Sequence, residues 1–244
     1  MKKIYLIGIG PGDPKYLTVE AIETIRKLNV FLVPLKKGGK QELTDIRERI
    51  IDCCHPDRDY KLIKLDFPER KKSSPYEKSV KQWRDQKTEI ILKALENIEE
   101  AGLLVLGDPS LYDGHIDIML ELKKHISLEF EVIPGISSIQ LLSARHKISL
   151  SKIAGSVILT TPRGLKKIKD LNDNIVVLLD NYETFKLFKE KNPKIYWGAY
   201  LGTEKESIYS GQLHQCIEQL IDLRRRLKKE NGWIMETYLL TNDE

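Results

Sequence analysis

Three turns rich in glycine and proline constrain this chain most, because each follows a short apolar run that is typical of a buried strand. The runs at residues 4–9, 103–106 and 130–133 lead into turns at residues 8–14, 107–113 and 134–138. Ligands of open α/β sheets bind at the carboxyl ends of strands, where backbone N–H groups and helix N-termini converge. Glycine lets the backbone approach a ligand closely, and proline fixes the loop beforehand. The turns therefore predict a preorganised small-molecule site.

Strand and helix patterns alternate along the chain, which is typical of βαβ units and a mostly parallel sheet. Thr18 is expected to cap the first helix. The charged segment 66–79 is expected to form an exposed loop before a long helix that ends at Gly102. The pattern restarts near residues 147–155. We therefore predict an α/β fold of two αβα domains, residues 1–147 and 156–244, with a linker at 148–155. The first sheet should be mostly parallel and the second mixed.

Composition excludes several classes of protein. No run of about 18 apolar residues is present, so no transmembrane helix is expected, and the apolar run near Met1 is too short for a signal peptide. The odd number of cysteines, three, fits the reducing cytoplasm. Cys53, Cys54 and His55 have no second ligand pair at zinc spacing, so we predict no metal site. With 40 basic and 36 acidic residues dispersed along the chain, nucleic-acid binding is not expected.

The first turn departs from the nucleotide-binding motifs. A dinucleotide fingerprint needs a third glycine where Asp13 stands, and no acidic residue ends the second predicted strand. No Gly-Lys-Ser/Thr follows the glycines, which excludes a P-loop. Carboxylates at Asp13 and Asp108 would repel phosphate and favour a cationic or hydroxyl-rich ligand such as S-adenosylmethionine. The alternative is that both aspartates simply cap the helices that follow them.

These motifs resemble those of the tetrapyrrole (corrin/porphyrin) methylase family. The family's motifs are Gly-x-Gly-Pro-Gly-Asp, Gly-Asp-Pro and Pro-Gly-x-Ser/Thr, and they stand here at residues 8–13, 107–109 and 134–137. Segments 107–113, 133–140, 144–146, 196–203 and 232–240 are most similar to the branch that methylates C-1 of precorrin-5 and releases acetate. The resemblance covers nearly the whole chain. It implies a homodimer of two-domain subunits, with S-adenosylmethionine in the cleft between domains and S-adenosylhomocysteine as a product.

The resemblance also assigns cofactor-binding residues, motif by motif. In the first domain the loops would hold the methionine and ribose portions, and in the second domain two residues would approach the adenosine. The predicted cofactor-binding residues are Pro11, Leu106, Gly107, Asp108, Leu111, Ser137, Ser138, Asp180 and Gly202.

The implied reaction has two chemical parts. Methyl transfer to an electron-rich macrocycle depends mainly on alignment of the reacting atoms. Release of the acetyl group requires water to attack a carbonyl, which a general base would assist. Asp113 and Tyr112, beside the second loop, are the catalytic candidates. His146, at a helix end, is expected to be structural.

The implied acceptor, precorrin-5, is a polycarboxylate corrinoid precursor, and arginine binds carboxylates through charge-assisted bidentate hydrogen bonds. Arg163 and Arg145 are therefore predicted to bind the substrate, and the pair at residues 36–37 offers two further cations. Tyr200 is predicted to face the substrate. Segment 66–79 with Trp83 could cover the macrocycle, or be an ordinary exposed loop.

Two other functions stay open at this point. The same fold could act on another corrin position or on RNA ribose, and the RNA activity would require a continuous basic face and steep salt dependence. A binding protein without turnover would be expected to have lost the motif residues of these loops, whereas all three loops are intact here.

Overall fold

The computed structural model describes residues 1–35, 41–70 and 75–242. The chain folds into two compact units, Met1–Ser137 and Ser138–Glu244. We call them unit 1 and unit 2. The division lies one helix before the predicted linker at 148–155, so the helix that follows Ser137 belongs to unit 2.

Unit 1 contains one five-stranded sheet in the order β3-β2-β4-β1-β5, and each neighbouring pair in it is parallel. The strands are β1 (Lys2–Gly8), β2 (Val30–Pro34), β3 (Lys61–Leu65), β4 (Glu100–Val105) and β5 (Leu128–Ile133). The helices are α1 (Val19–Lys27), α2 (Glu42–Cys54), α3 (Tyr76–Ala94) and α4 (His115–Leu122), with a 3₁₀ turn at Pro14–Tyr16.

The central strands of unit 1 are nearly continuous apolar runs, as expected of parallel strands covered on both faces. Ile4, Leu6 and Ile7 of β1 are fully buried, as are Leu103 and Leu104 of β4. This burial explains why the apolar runs that precede the first two turns were recognisable as strands.

Local signals located some boundaries of unit 1 correctly and missed others. Thr18 caps α1 as predicted, since its hydroxyl oxygen accepts the Ala21 N–H at 3.1 Å. The predictions for Gly102 and the start of the long helix were wrong: Gly102 lies within β4, and α3 begins at Tyr76. A Cβ at Gly102 would lie 3.0 Å from Leu28 and 3.1 Å from Phe31, so this glycine makes room for core side chains.

Unit 2 contains a second five-stranded sheet, in the order β6-β7-β10-β8-β9. The β6–β7 pair is parallel, and the other three pairs are antiparallel. The strands are β6 (Val157–Thr160), β7 (Asn174–Leu178), β8 (Lys194–Ala199), β9 (Ser207–Gln212) and β10 (Glu236–Thr241). The helices are α5 (Ser138–His146), α6 (Pro162–Leu165) and α7 (Leu213–Asn231), with a 3₁₀ helix at Thr184–Lys191. One parallel and one mixed sheet confirm the predicted fold class.

Within the described ranges, no helix combines the length and apolarity needed to cross a bilayer.

A buried ion-pair network stabilises unit 2. The Arg224 guanidinium of α7 donates through Nε to Glu236 Oε2 at 2.6 Å and through Nη1 to Glu183 at 2.9 Å. Trp197 Nε1 donates to the same Glu236 oxygen at 2.6 Å. Burial raises the pKa of Glu236 to about 7, against the opposing effect of Arg224. The basic helix α7 therefore has one cation that faces the core.

Arg224→Met should lower the free energy of unfolding by about 3–5 kcal/mol, because it leaves the Glu236 carboxylate buried without its cation. The loss should grow as the pH rises above 4.5, since a carboxyl whose pKa is raised by folding destabilises the fold once it must ionise. Chemical denaturation at pH 5 and pH 8 measures both effects. Arg225→Met is the matched control: its exposed side chain pairs with Asp222 at 3.4 Å, so a change below about 1 kcal/mol is expected. Equal losses in the two variants would contradict this account.

Candidate active site

The predicted loops meet at one edge of the unit 1 sheet. Strands β4, β1 and β5 are neighbours and run parallel, so their carboxyl ends lie side by side. Each continues directly into one of the glycine- and proline-rich turns. We call these turns the β1, β4 and β5 loops, at residues 9–13, 106–113 and 134–137.

The backbones of these loops are in direct contact. Gly10 and Gly107 form an isolated bridge, with the Gly107 N–H donating to the Gly10 carbonyl at 2.7 Å. A Cβ at Gly135 would lie 2.3 Å from the Gly107 carbonyl oxygen and 2.9 Å from Gly8. Only glycine fits such an approach, so Gly8 and Gly135 are required by packing between the loops.

Asp108 joins the β4 loop to the β5 loop. Its Oδ1 accepts the Ser110 N–H at 2.9 Å, and its Oδ2 accepts the Gly135 N–H at 2.9 Å. Burial opposes ionisation, but these hydrogen bonds hold the pKa of Asp108 below its ordinary value. Asp108 is therefore an ionised carboxylate whose first role is to fix the two loops relative to each other.

Asp13 has the role that the alternative interpretation assigned to it. Its side chain accepts the Lys15 N–H at 3.0 Å as the N-cap of the 3₁₀ turn, and it pairs with the Lys15 ammonium at 2.9 Å. These contacts with Lys15 lower the pKa of Asp13. Asp13 thus needs no ligand to explain its position.

The structure brings the unit 1 members of the predicted cofactor set together on these loops. Pro11 and Ser137 are buried, whereas Leu106, Gly107 and Leu111 are half-buried. At Gly107, where φ is +75°, the nearest atom to a Cβ position is 4.0 Å away. The space next to Gly107 and the ionised Asp108 that follows it in the chain are the features on which the prediction of a cationic, hydroxyl-rich ligand rests.

Three of the predicted residues in unit 2 take part in local hydrogen bonds. Ser138 Oγ lies 2.7 Å from Thr237 Oγ1. The Gly202 N–H donates to Glu206 Oε2 at 2.7 Å, and Arg145 pairs with Oε1 of the same glutamate. Glu206 therefore joins the predicted cofactor residue Gly202 to the predicted substrate residue Arg145.

Asp180 and Tyr200 lie inside unit 2, where burial gives their side chains structural partners. Asp180 is 1% exposed, and it accepts hydrogen bonds from the Thr184 N–H at 2.7 Å and the Tyr238 hydroxyl at 2.8 Å. Tyr200 is 2% exposed, and its hydroxyl donates to the Trp233 carbonyl. Both side chains are buried within unit 2, and their predicted ligand contacts stay a prediction.

The other predicted residues are exposed or make structural hydrogen bonds within their own unit. Arg163 is exposed at the start of α6. Tyr112 is 48% exposed, with a φ of +54°. His146 is structural as expected, with Nε2 3.0 Å from the Trp197 carbonyl oxygen. The cations at residues 36–37, and residues 71–74 of the segment expected to cover the substrate, lie outside the described residues.

Asp113 is held by a residue that sequence reasoning missed. Its Oδ1 accepts the backbone N–H of His115 at 3.0 Å and contacts His115 Nδ1 at 2.5 Å. The His115 side chain is 8% exposed and that of Asp113 is 19% exposed. Burial opposes ionisation of Asp113, but His115 lowers its pKa below the ordinary value. An Asp-x-His spacing at the start of α4 was the available signal.

Two cations surround this pair in unit 1. Lys87 of α3 is buried, with its ammonium 4.7 Å from the Phe67 ring centroid and 4.4 Å from that of Trp83. Arg47 of α2 is buried, and its Nε donates to the Leu104 carbonyl at 2.9 Å. Burial lowers the pKa of Arg47 to about 10, and Asp113 opposes that effect.

A separate groove of about 500 Å³ lies between α3 and α4. Lys81, Arg84 and Asp117 line it, and Arg84 pairs with Asp117 at 2.8 Å. It contains none of the predicted site residues, so its size does not make it the active site. The unit 1 residues predicted for the site lie on the β1, β4 and β5 loops instead.

Comparison with known proteins identifies the family. The family model of the Tetrapyrrole (Corrin/Porphyrin) Methylases matches residues 3–216. The chain belongs to this family. A "Precorrin-6A synthase [deacetylating]" from a Sinorhizobium species is 34% identical over 98% of this chain and 95% of its own length.

Solved structures agree with this assignment. A crystal structure of a cobalamin synthesis related protein from Corynebacterium diphtheriae is 29% identical, covers 100% of both chains and has a TM-score of 0.84. Uroporphyrin-III C-methyl transferase from Thermus thermophilus, in complex with S-adenyl homocysteine, has a TM-score of 0.63 at 18% identity, covering 98% of this chain and 97% of its own. The second likeness concerns the fold. The predicted family, its fold class and a methyltransferase activity in corrin synthesis with S-adenosylmethionine as methyl donor are thereby confirmed.

Gly135→Ala should lower the free energy of unfolding by about 1–3 kcal/mol, because a methyl group would overlap the Gly107 carbonyl and Gly8. Thermal unfolding measures the loss. Gly155→Ala is the control, since Gly155 is exposed and its nearest neighbours all belong to Lys152 in the same loop. An unchanged melting temperature for Gly135→Ala would contradict the close contact between loops.

Proposed function

We propose that the protein methylates C-1 of precorrin-5, using S-adenosylmethionine, and releases the acetyl group as acetate to give precorrin-6A. The observation that carries the proposal is the 34% identity over nearly the full length to a deacetylating precorrin-6A synthase. The joined loops of unit 1 add support, since they fit the methyl donor that such a reaction requires.

The β1, β4 and β5 loops would hold the donor through the predicted residues Pro11, Leu106, Gly107, Leu111 and Ser137. When bound, S-adenosylmethionine supplies an electrophilic methyl group. The loops contribute alignment, because contacts such as the Gly10–Gly107 bridge fix their backbone before any ligand binds. Correct alignment of reacting groups can lower a barrier by about 7–11 kcal/mol at best. Gly202, Ser138 and Asp180 of unit 2 stay predicted donor-binding residues on the strength of the family motifs.

Arg163 and Arg145 are proposed to bind carboxylates of the corrinoid. Arg163 is exposed. Arg145 is one-third exposed and pairs with Glu206. The Tyr200 side chain is buried, so it could influence substrate binding only through the shape of the backbone around it.

Asp113 is proposed as the general base for the hydrolytic step, with Tyr112 beside it. The Asp113 hydrogen bonds to His115 both use Oδ1, which leaves Oδ2 as the acceptor for a water molecule. The lowered pKa keeps the carboxyl ionised near neutral pH, as a base requires.

A homodimer and a cytoplasmic location belong to this proposal as well. The dimer is proposed from the family resemblance. The location is supported by the cysteines, since Cys53, Cys54 and Cys216 are all free thiols.

The direct test is anaerobic incubation of the purified protein with S-adenosylmethionine and precorrin-5 made in situ, followed by mass spectrometry of the pigment. Gain of one methyl group with loss of the acetyl group, together with free acetate, is the expected result. A methylated product that keeps the acetyl group would move the reaction to another ring position. An unchanged pigment, in the presence of an active upstream methylase, would exclude precorrin-5 and leave RNA ribose or another acceptor to be tested.

Asp108→Asn should weaken S-adenosylhomocysteine binding at least about tenfold, equivalent to about 1.4 kcal/mol. An amide N–H placed against the Gly135 N–H would break the connection between the β4 and β5 loops, and one placed against the Ser110 N–H would disturb the turn within the β4 loop. Titration calorimetry measures the Kd. Asp117→Asn on the surface of α4 should leave it unchanged. A folded Asp108→Asn protein with wild-type affinity would argue against the loops as the donor site.

A further inference from the structure

His115 Nε2 is buried, and no protein group in the described ranges forms a hydrogen bond with it. Within the described residues, the other buried side-chain atom that makes no hydrogen bond is Glu48 Oε1, and that oxygen still lies 3.0 Å from the Lys64 ammonium. His115 itself is 6% exposed. Because native structures rarely leave a buried polar atom unsatisfied, the position of this ring requires an explanation other than its own packing.

The contact with Asp113 determines the protonation of the ring. An ionised carboxylate can only accept hydrogen bonds, so the proton must lie on His115 Nδ1 and be donated to Asp113 Oδ1. In the neutral ring this leaves Nε2 as a bare acceptor. This tautomer is an inference from the hydrogen-bond geometry.

The charges that face the ring favour its neutral form. Lys87 approaches from α3 and Arg47 from α2, while Asp113 on the loop side is the carboxylate that pairs with it. Burial lowers the pKa of His115, and the two cations act in the same direction against the attraction of Asp113. A neutral His115 donates one hydrogen bond to Asp113 and leaves the aspartate its full negative charge.

The geometry points to His115 as the positioning residue for Asp113: it fixes one carboxylate oxygen from the buried side, so that the other oxygen faces the water that releases acetate. This inference rests on the proposed function. The side chain exposures support the arrangement, because Asp113 at 19% is the more accessible member and His115 at 8% lies behind it.

Acetate release is a hydrolysis in which Asp113 accepts the proton. Water oxygen bonds to the acetyl carbonyl carbon, and Asp113 Oδ2 takes one water proton. The bond between that carbon and the macrocycle carbon then breaks and acetic acid leaves. The electron pair remains on the macrocycle carbon, where it would form the bond to the methyl group that the donor supplies, and Asp113 returns its proton to solvent. His115 keeps its Nδ1 proton throughout, so its contribution is orientation and charge stabilisation of Asp113.

The first test observes the ring directly in the full-length protein. Two-dimensional NMR of ¹⁵N-labelled protein, with His115→Leu for assignment, should show Nδ1 protonated and Nε2 unprotonated between pH 8 and pH 6.5. An imidazolium ion or an Nε2–H tautomer at pH 7 would overturn the inference. Because folding excludes the proton from His115, stability should also fall as the pH drops below 6.5, and less so in His115→Leu.

The second test separates positioning from stability. His115→Leu removes the unsatisfied Nε2 and should fold, but the rate of acetate release should fall at least about tenfold, while the Kd for S-adenosylhomocysteine changes less than twofold. His115→Asn, whose amide N–H can replace the Nδ1–H, should recover part of the rate. His125→Leu, at an exposed histidine of unit 1, is the control and should match the wild type.

The outcomes are distinguishable. Wild-type protein that fails to convert precorrin-5 overturns the proposed function and this inference with it. Active wild-type protein with an equally active His115→Leu variant overturns the inference alone. Parallel losses of acetate release and S-adenosylhomocysteine binding would show that His115 is structural, and would also overturn it.

Discussion

The contact between the three loop backbones is the constraint on which the candidate site depends. The backbone at Gly8, the backbone at Gly135 and the Gly107 carbonyl approach so closely that a Cβ fits at neither Gly8 nor Gly135. Asp108 fixes the approach by accepting N–H groups from the β4 and β5 loops. This contact is possible because β4, β1 and β5 are adjacent parallel strands. The sheet topology thus determines which turns meet, and the glycines determine how closely.

That arrangement suits a reaction in which alignment matters more than acid–base strength. A ligand entering a loop cluster that is already joined loses less free energy to ordering of the protein, so more binding energy remains for orienting the reacting atoms. The carboxylate of Asp108 has two roles, one in joining the loops and one in supplying negative charge. Its hydrogen bonds are used within the protein, yet its charge remains near the space where a cationic ligand would lie.

Sequence reasoning succeeded where local chemistry decides the structure and failed where burial decides it. The loops and the Thr18 cap were predictable because glycine, proline and a capping hydroxyl act on the backbone where they stand. Gly102 was misread as a helix end, although its strand needs a small residue for core packing. Asp180 and Tyr200 stand at strand ends, where ligand contacts are common, and the sequence did not reveal that both side chains are buried in unit 2. For His115, sequence reasoning missed a residue of the candidate site, because spacing alone does not reveal which polar side chains tertiary packing will pair.

The two buried polar clusters differ in a way that separates structure from function. In unit 2, oxygen acceptors from three acidic residues surround the Arg224 guanidinium, so its charge is compensated. In unit 1, Lys87 and Arg47 act on the Asp113–His115 pair, and among the described residues no group hydrogen-bonds His115 Nε2. A fully satisfied network can be explained by folding alone, whereas an unsatisfied one must be maintained against its cost. The unsatisfied cluster follows the β4 loop directly, and for that reason it, rather than the larger network of unit 2, is where chemistry beyond folding is to be sought.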